Sequence, residues 1–196
     1  MSSPTEPLAP TPSQTVGPFY GFALPFAGGG DMAPTGDPGT ITLHGNVYDG
    51  AGAPIPDALL EFWQPGPGGS RAGAPGSLRR DQVDGTIIGR TGLDFTGFGR
   101  VGTDADGHYA VRTVPPGGVP YISVCVFARG LLHHLFTRAY LTDPGADPLL
   151  ASLPPDRRAT LLTTLERDGV HRFDIRLQHD GTHEETVFLA FPAGPA

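Results

Sequence analysis

The feature that most constrains this chain is its punctuation. It holds 29 Gly and 22 Pro among 196 residues, and they cut the apolar pattern into short runs. Ile41, Leu43 and Val47 fall at odd positions, the period of a half-buried strand. Asp49 to Pro54 is turn chemistry, and Ala58 to Gln64 is a second strand. Further strands are expected over Phe95–Thr103, His108–Val114, Tyr121–Ala128, His134–Leu141, Arg172–Gln178 and Thr186–Phe191. One stretch has helical spacing: after Pro154 and Pro155, the residues Leu161, Leu162 and Leu165 share a face, which predicts a short helix over 155–166. About eight strands with turns between them and one helix predict an all-β sandwich or barrel.

So much Gly and Pro approaches low-complexity composition. Against that, Leu, Ile, Val and Phe make up about a quarter of the chain and charged residues only 17%. That balance is globular rather than disordered. All 13 basic residues are Arg and Asn46 is the sole Asn, a coding bias that would itself raise Gly and Pro. Residues 1–39 read as an N-terminal tail and arm, and 40–196 as one β domain. The run 65–94 reads as a long irregular loop, either functional or an assembly surface.

The net charge of −7 disfavours nucleic acid and anionic membranes as partners. Cys125 is the single cysteine, so no disulfide can form within the chain. The first residues have neither the basic nor the apolar region of a signal peptide. The longest mostly apolar stretch, Tyr121 to Ala128, is too short to span a bilayer. A soluble cytoplasmic protein is expected.

No familiar self-contained catalytic motif is present. Cys125, within Val-Cys-Val-Phe, reads as a buried apolar residue. Asp104 to Gly107 begins like a calcium loop, but its Gly comes too early and Pro115 stands where the bidentate Glu belongs, so a turn is expected. His133 and His134 are adjacent and would point to opposite faces of a strand. His179 and His183 flank a turn, and Glu61 between Leu60 and Phe62 reads as a paired strand-face charge.

Five segments together resemble the intradiol ring-cleaving dioxygenases: Thr15 to Tyr20, Leu43 to Asp49, Leu60 to Gln64, Gly102 to Tyr109 and Arg172 to Leu177. They span most of the chain in the family's order, and the family's prealbumin-like β-sandwich agrees with the strand pattern. The resemblance is greatest to the non-iron-ligating chain of the family's two-chain members. It is carried by Thr11 to Thr15, Val126 to Gly130, His134 to Arg138 and Glu185 to Phe188.

The resemblance implies a catalytic Fe(III) held by two Tyr and two His. Residues 49–107 contain no Tyr where one ligand belongs, and Tyr121 and Ser123 occupy the two His positions. These are degenerate metal positions, and no metal ligand or catalytic residue of its own is assigned to this chain. The implied arrangement is an iron-bearing partner subunit of the same fold, acting with O2 on an aromatic small molecule. Thr15, Gly17, Pro18, Phe19 and Arg129 would then help shape the partner's substrate pocket. Phe19 stands where the family has Tyr, unless Tyr20 replaces it. Two rival readings are a rearranged iron site built from Tyr48, Tyr109 and histidines, and a β-sandwich binding module with no enzyme role.

Overall fold

The computed structural model describes residues 15, 17, 19–34, 36–71, 78–90 and 94–191. The tail expected over 1–12 lies outside them. The elements, in chain order, are α1 (Tyr20–Ala23), β1 (Ile41–Tyr48), β2 (Leu59–Trp63), β3 (Leu78–Arg80), β4 (Ile87–Arg90), β5 (Phe98–Gly102), β6 (His108–Thr113) and β7 (Tyr121–Phe127). They continue with β8 (Leu135–Tyr140), α2 (Pro148–Ala151), α3 (Pro155–Ala159), β9 (Thr164–Arg167), β10 (Val170–Arg172) and β11 (Ile175–Arg176).

Two sheets face each other. One runs β5-β2-β7-β8, antiparallel throughout. In the other, β1 pairs antiparallel with β6 and parallel with β10 and β11, and β9 closes the edge on β10. Leu43, Val47, Tyr109, Val111, Phe173 and Ile175 from this second sheet pack against Leu60, Phe62, Ile122, Val124, Val126 and Ala139 from the first. Burial of one such large apolar side chain contributes about 1.5–3 kcal/mol. Met32, ahead of β1, is also fully buried in this core.

The inward alternation of β1 has a gap at Gly45, and the structure explains it. A Cβ there would lie 2.0 Å from the carbonyl oxygen of Phe173, whose amide donates to the carbonyl of His44 at 2.7 Å. The turn reading of Asp104–Gly107 is observed: Asp104 Oδ1 accepts from the amides of Asp106 and His108 at 3.0 and 2.9 Å.

The strand expected over Arg172–Gln178 is broken at Phe173 and Asp174, β10 ending at Arg172 and β11 covering only Ile175–Arg176, and the structure departs from the sequence expectations in three further places. The segment 65–94 contains a hairpin, β3–β4; its strands are three and four residues long and pair with each other, too short for a legible period. The helix expected over 155–166 stops at Ala159. Tyr140 then captures the chain, its amide donating to the carbonyl of Leu161 and its carbonyl accepting from the amide of Thr163, both at 2.9 Å. Leu161 stays buried, but Leu165 enters β9 and is 60% exposed. That helix is therefore not the sole one: α2 precedes it, capped by Asp147, and α1 lies in the N-terminal segment. Third, Thr186–Phe191 runs beside the sheet without becoming a strand, tied by Leu189 N–H to the carbonyl of Phe136 at 2.8 Å.

Candidate functional site

Strand β7 positions both clefts that matter. Its even residues Ile122, Val124 and Val126 face the core, which turns Tyr121 and Ser123 outward, away from the opposing sheet. The two side chains line a cleft of about 330 Å³ with Trp63, Gln64, Pro65, Arg71, Gly97 and Val119. Across the ladder, Tyr140 lies opposite Tyr121 and Arg138 opposite Ser123. The Arg138 guanidinium carbon sits 3.9 Å from the centre of the Tyr121 ring, and its Nη1 donates to the Tyr140 hydroxyl at 3.3 Å. Gln64 is fully used: its Nε2 donates to the Val114 carbonyl at 2.7 Å and its Oε1 accepts from Thr113 Oγ1 at 2.8 Å.

These residues do not fit a ferric ion. A hard trivalent cation needs several anionic or imidazole donors, whereas this wall offers one phenol, one aliphatic hydroxyl and a guanidinium of like charge. The other tyrosines are engaged elsewhere. Tyr109 lies in the core and donates to the carbonyl of Phe173 at 2.6 Å. Burial, with the Asp174 charge adding to it, raises its pKa well above the ordinary phenol value, so a phenolate is disfavoured there. The ring of Tyr48 lies under the Arg176 guanidinium at 4.5 Å.

The histidines do not converge on these tyrosines. His44 Nδ1 lies 3.2 Å from His108 Nε2, and His44 Nε2 lies 2.9 Å from Glu166, on the outer side of the other sheet. His134 packs between Phe127 and Phe136, and His183 pairs with Asp180. Among the described residues, no group of three or more His, Cys, Asp or Glu is arranged to hold a metal. Glu61 is paired with Arg100, which donates from Nε at 2.9 Å. Cys125 is buried, and burial pushes its thiol up to about 12, with the Glu61 charge adding.

The second cleft opens just beyond the other end of β7. It has a volume of about 450 Å³ and is lined by Thr15, Gly17, Tyr20, Asp57, Ala128, Arg129 and Gly130. Gly130 turns the chain here at φ 88°, a left-handed value that favours glycine. The turn leaves the Arg129 side chain 79% exposed. Asp57 Oδ2 accepts from Arg129 Nε at 2.8 Å and also from Nη2, and the Asp57 carbonyl accepts from the Tyr20 hydroxyl. Burial and the nearby Asp57 charge raise the Tyr20 pKa above its ordinary value, while Arg129 partly offsets them.

Three of the residues picked out in the sequence, Thr15, Gly17 and Arg129, therefore border one cleft. Phe19 is 74% exposed and is not among the lining residues. Pro18 lies outside the described residues. Sequence reading missed Asp57, whose partner is 72 residues away and which no local motif marks.

A family model described as "Dioxygenase" matches residues 17–135. The chain is 41% identical to a protocatechuate 3,4-dioxygenase alpha chain from Burkholderia cepacia, over 93% of this chain and 98% of that one. It is 29% identical to the beta chain of protocatechuate 3,4-dioxygenase from the same organism, over 70% of this chain and 64% of the other. Among solved structures, the dioxygenase domain of a carbohydrate-binding fusion protein from Streptomyces sp. SirexAA-E superposes with a TM-score of 0.53 at 27% identity. That match covers 91% of this chain and all of the other.

Proposed function

The chain belongs to the intradiol ring-cleaving dioxygenase family, and from that premise we propose that it is the α subunit of a protocatechuate 3,4-dioxygenase. Its partner is a β subunit of the same fold that binds the Fe(III). The pair opens protocatechuate between its two hydroxyl-bearing carbons. Both atoms of O2 enter the product, 3-carboxy-cis,cis-muconate, as the oxygens added to the new carboxylates. The observation that supports this reading is the Tyr121–Ser123–Arg138 wall: Tyr121 and Ser123 stand where the resemblance puts the two iron-binding histidines, and Arg138 lies over one and opposite the other, so a catalytic role for this chain would need another chain to hold the iron.

What this chain contributes is shape and charge at the second cleft. Arg129 is exposed at the end of β7 and matches a carboxylate in charge and planar geometry. Protocatechuate carries a carboxylate at the far side of the ring from its hydroxyls, so a guanidinium at the rim of the partner's cavity would orient the ring. Asp57 holds that guanidinium on one side, and by the family resemblance Thr15, Gly17, Pro18 and Phe19 would border the β subunit's cavity, whereas Met32, further along the same N-terminal segment, packs in this chain's own core. The complex works in the cytoplasm. Among the described residues, no helix is long and apolar enough to cross a membrane.

Co-expression with a β chain carrying the two-Tyr, two-His set, followed by oxygen-uptake assays on protocatechuate, tests the proposal. Activity in the co-purified complex and none in either chain alone is the expected result. Full activity of the β chain by itself would refute it.

A further inference from the structure

The cleft above Tyr121 and Ser123 carries positive charge in an acidic protein. The chain's net charge is −7, yet no Asp or Glu is among the described residues lining this cleft. Arg71 stands at its wall, and Arg138 lies over the ring of Tyr121. Neither arginine forms an ion pair with a described residue, in contrast to Arg100, Arg129 and Arg157, which all have carboxylate partners. The hydroxyls of Tyr121 and Ser123 likewise make no hydrogen bond to a described residue, so they remain available. Trp63, packed at 4.5 Å on Phe98, is 43% exposed and supplies an aromatic wall.

We propose that this cleft binds a single-ring aromatic carboxylate. The ring would pack against Trp63, the carboxylate would meet Arg71, and the Tyr121 and Ser123 hydroxyls would take polar ring substituents. The Arg138 charge favours the anion over the neutral acid. A cleft of about 330 Å³ lies at the small end of ligand sites and suits one ring rather than a nucleotide or a peptide. Because these residues do not fit a ferric ion, a ligand held there would be bound without being cleaved. The proposal concerns a binding site separate in its residues from Arg129 and does not depend on the ring-cleavage reading.

The test is a fluorine NMR titration of the isolated full-length chain with 4-fluorobenzoate, so that no partner-held ferric ion can bind or broaden the probe and a saturable shift reports this chain alone. The expected result is such a shift, with affinity reduced about ten-fold or more by Arg71→Ala and by Arg138→Met, the loss of a charge-assisted hydrogen bond or its supporting charge. Arg71 is exposed, so its variant tests the site even if Arg138→Met folds poorly; unchanged thermal melting checks both. Absence of a saturable shift at millimolar probe, equal affinity in the Arg71 variant, or displacement by equimolar inorganic phosphate would each overturn the proposal.

Discussion

Asp57, just ahead of β2, grips Arg129, just beyond the paired strand β7: its Oδ2 accepts from Nε at 2.8 Å and from Nη2, while the rest of the guanidinium faces solvent. The arginine is thus aimed without being enclosed, and its open edge is free for a second carboxylate. Arg129→Met in the assembled enzyme should lower kcat/KM for protocatechuate by roughly 10- to 100-fold, the effect of losing a charge-assisted hydrogen bond. Catechol, which lacks the carboxylate, should be turned over almost as before. Steady-state oxygen uptake on both substrates reads the difference. Equal losses on the two would assign Arg129 to the subunit interface instead.

A second expectation follows from His171 on β10, which is buried with its Nδ1 3.0 Å from Thr163 Oγ1. Burial lowers its pKa below the ordinary 6.5, because the imidazolium is poorly solvated there. The unfolded chain therefore binds a proton at a higher pH than the folded one. Stability from this group is full above about pH 6.5 and is lost as pH falls from there through the folded pKa. Urea midpoints at pH 7.5 and 5.5 should differ more for the native chain than for His171→Gln. An identical pH dependence in the two would remove His171 from the account.

Restoring imidazoles alone should not restore a metal centre. Tyr121→His with Ser123→His places both rings on one face of β7, but it removes the phenol of Tyr121 and leaves Arg138 opposite position 123. The double variant of the isolated chain should bind no stoichiometric Fe(III) by metal analysis. Tight binding of one iron per chain would show that Arg138 moves aside and that the missing phenolates are dispensable.

The sandwich was legible because its inward positions repeat. Ile41, Leu43 and Val47 announce one face of β1 through their period, and Gly and Pro mark the strand ends. The helix over 155–166 stops short although Leu161, Leu162 and Leu165 have helical spacing, because the hydrogen bonds that end it come from Tyr140, about 20 positions earlier. The hairpin β3–β4 was hidden by its short strands. At the clefts, Tyr121, Ser123 and Arg129 could be picked out from the resemblance. Asp57 could not be, since its partner Arg129 lies 72 residues away, nor could the Arg138–Tyr121 stack, which depends on the register between β7 and β8. Phe19, picked out from the same resemblance, is largely exposed in the isolated chain.

Iron content and visible absorption of the isolated chain, beside the complex co-purified with its β partner, decide whether this chain works only through a partner's iron. The isolated chain should be colourless and without stoichiometric iron, and the complex should be coloured and active with one ferric ion per αβ pair. One tightly held iron in the isolated chain, with a tyrosinate-to-iron absorption band, would contradict it.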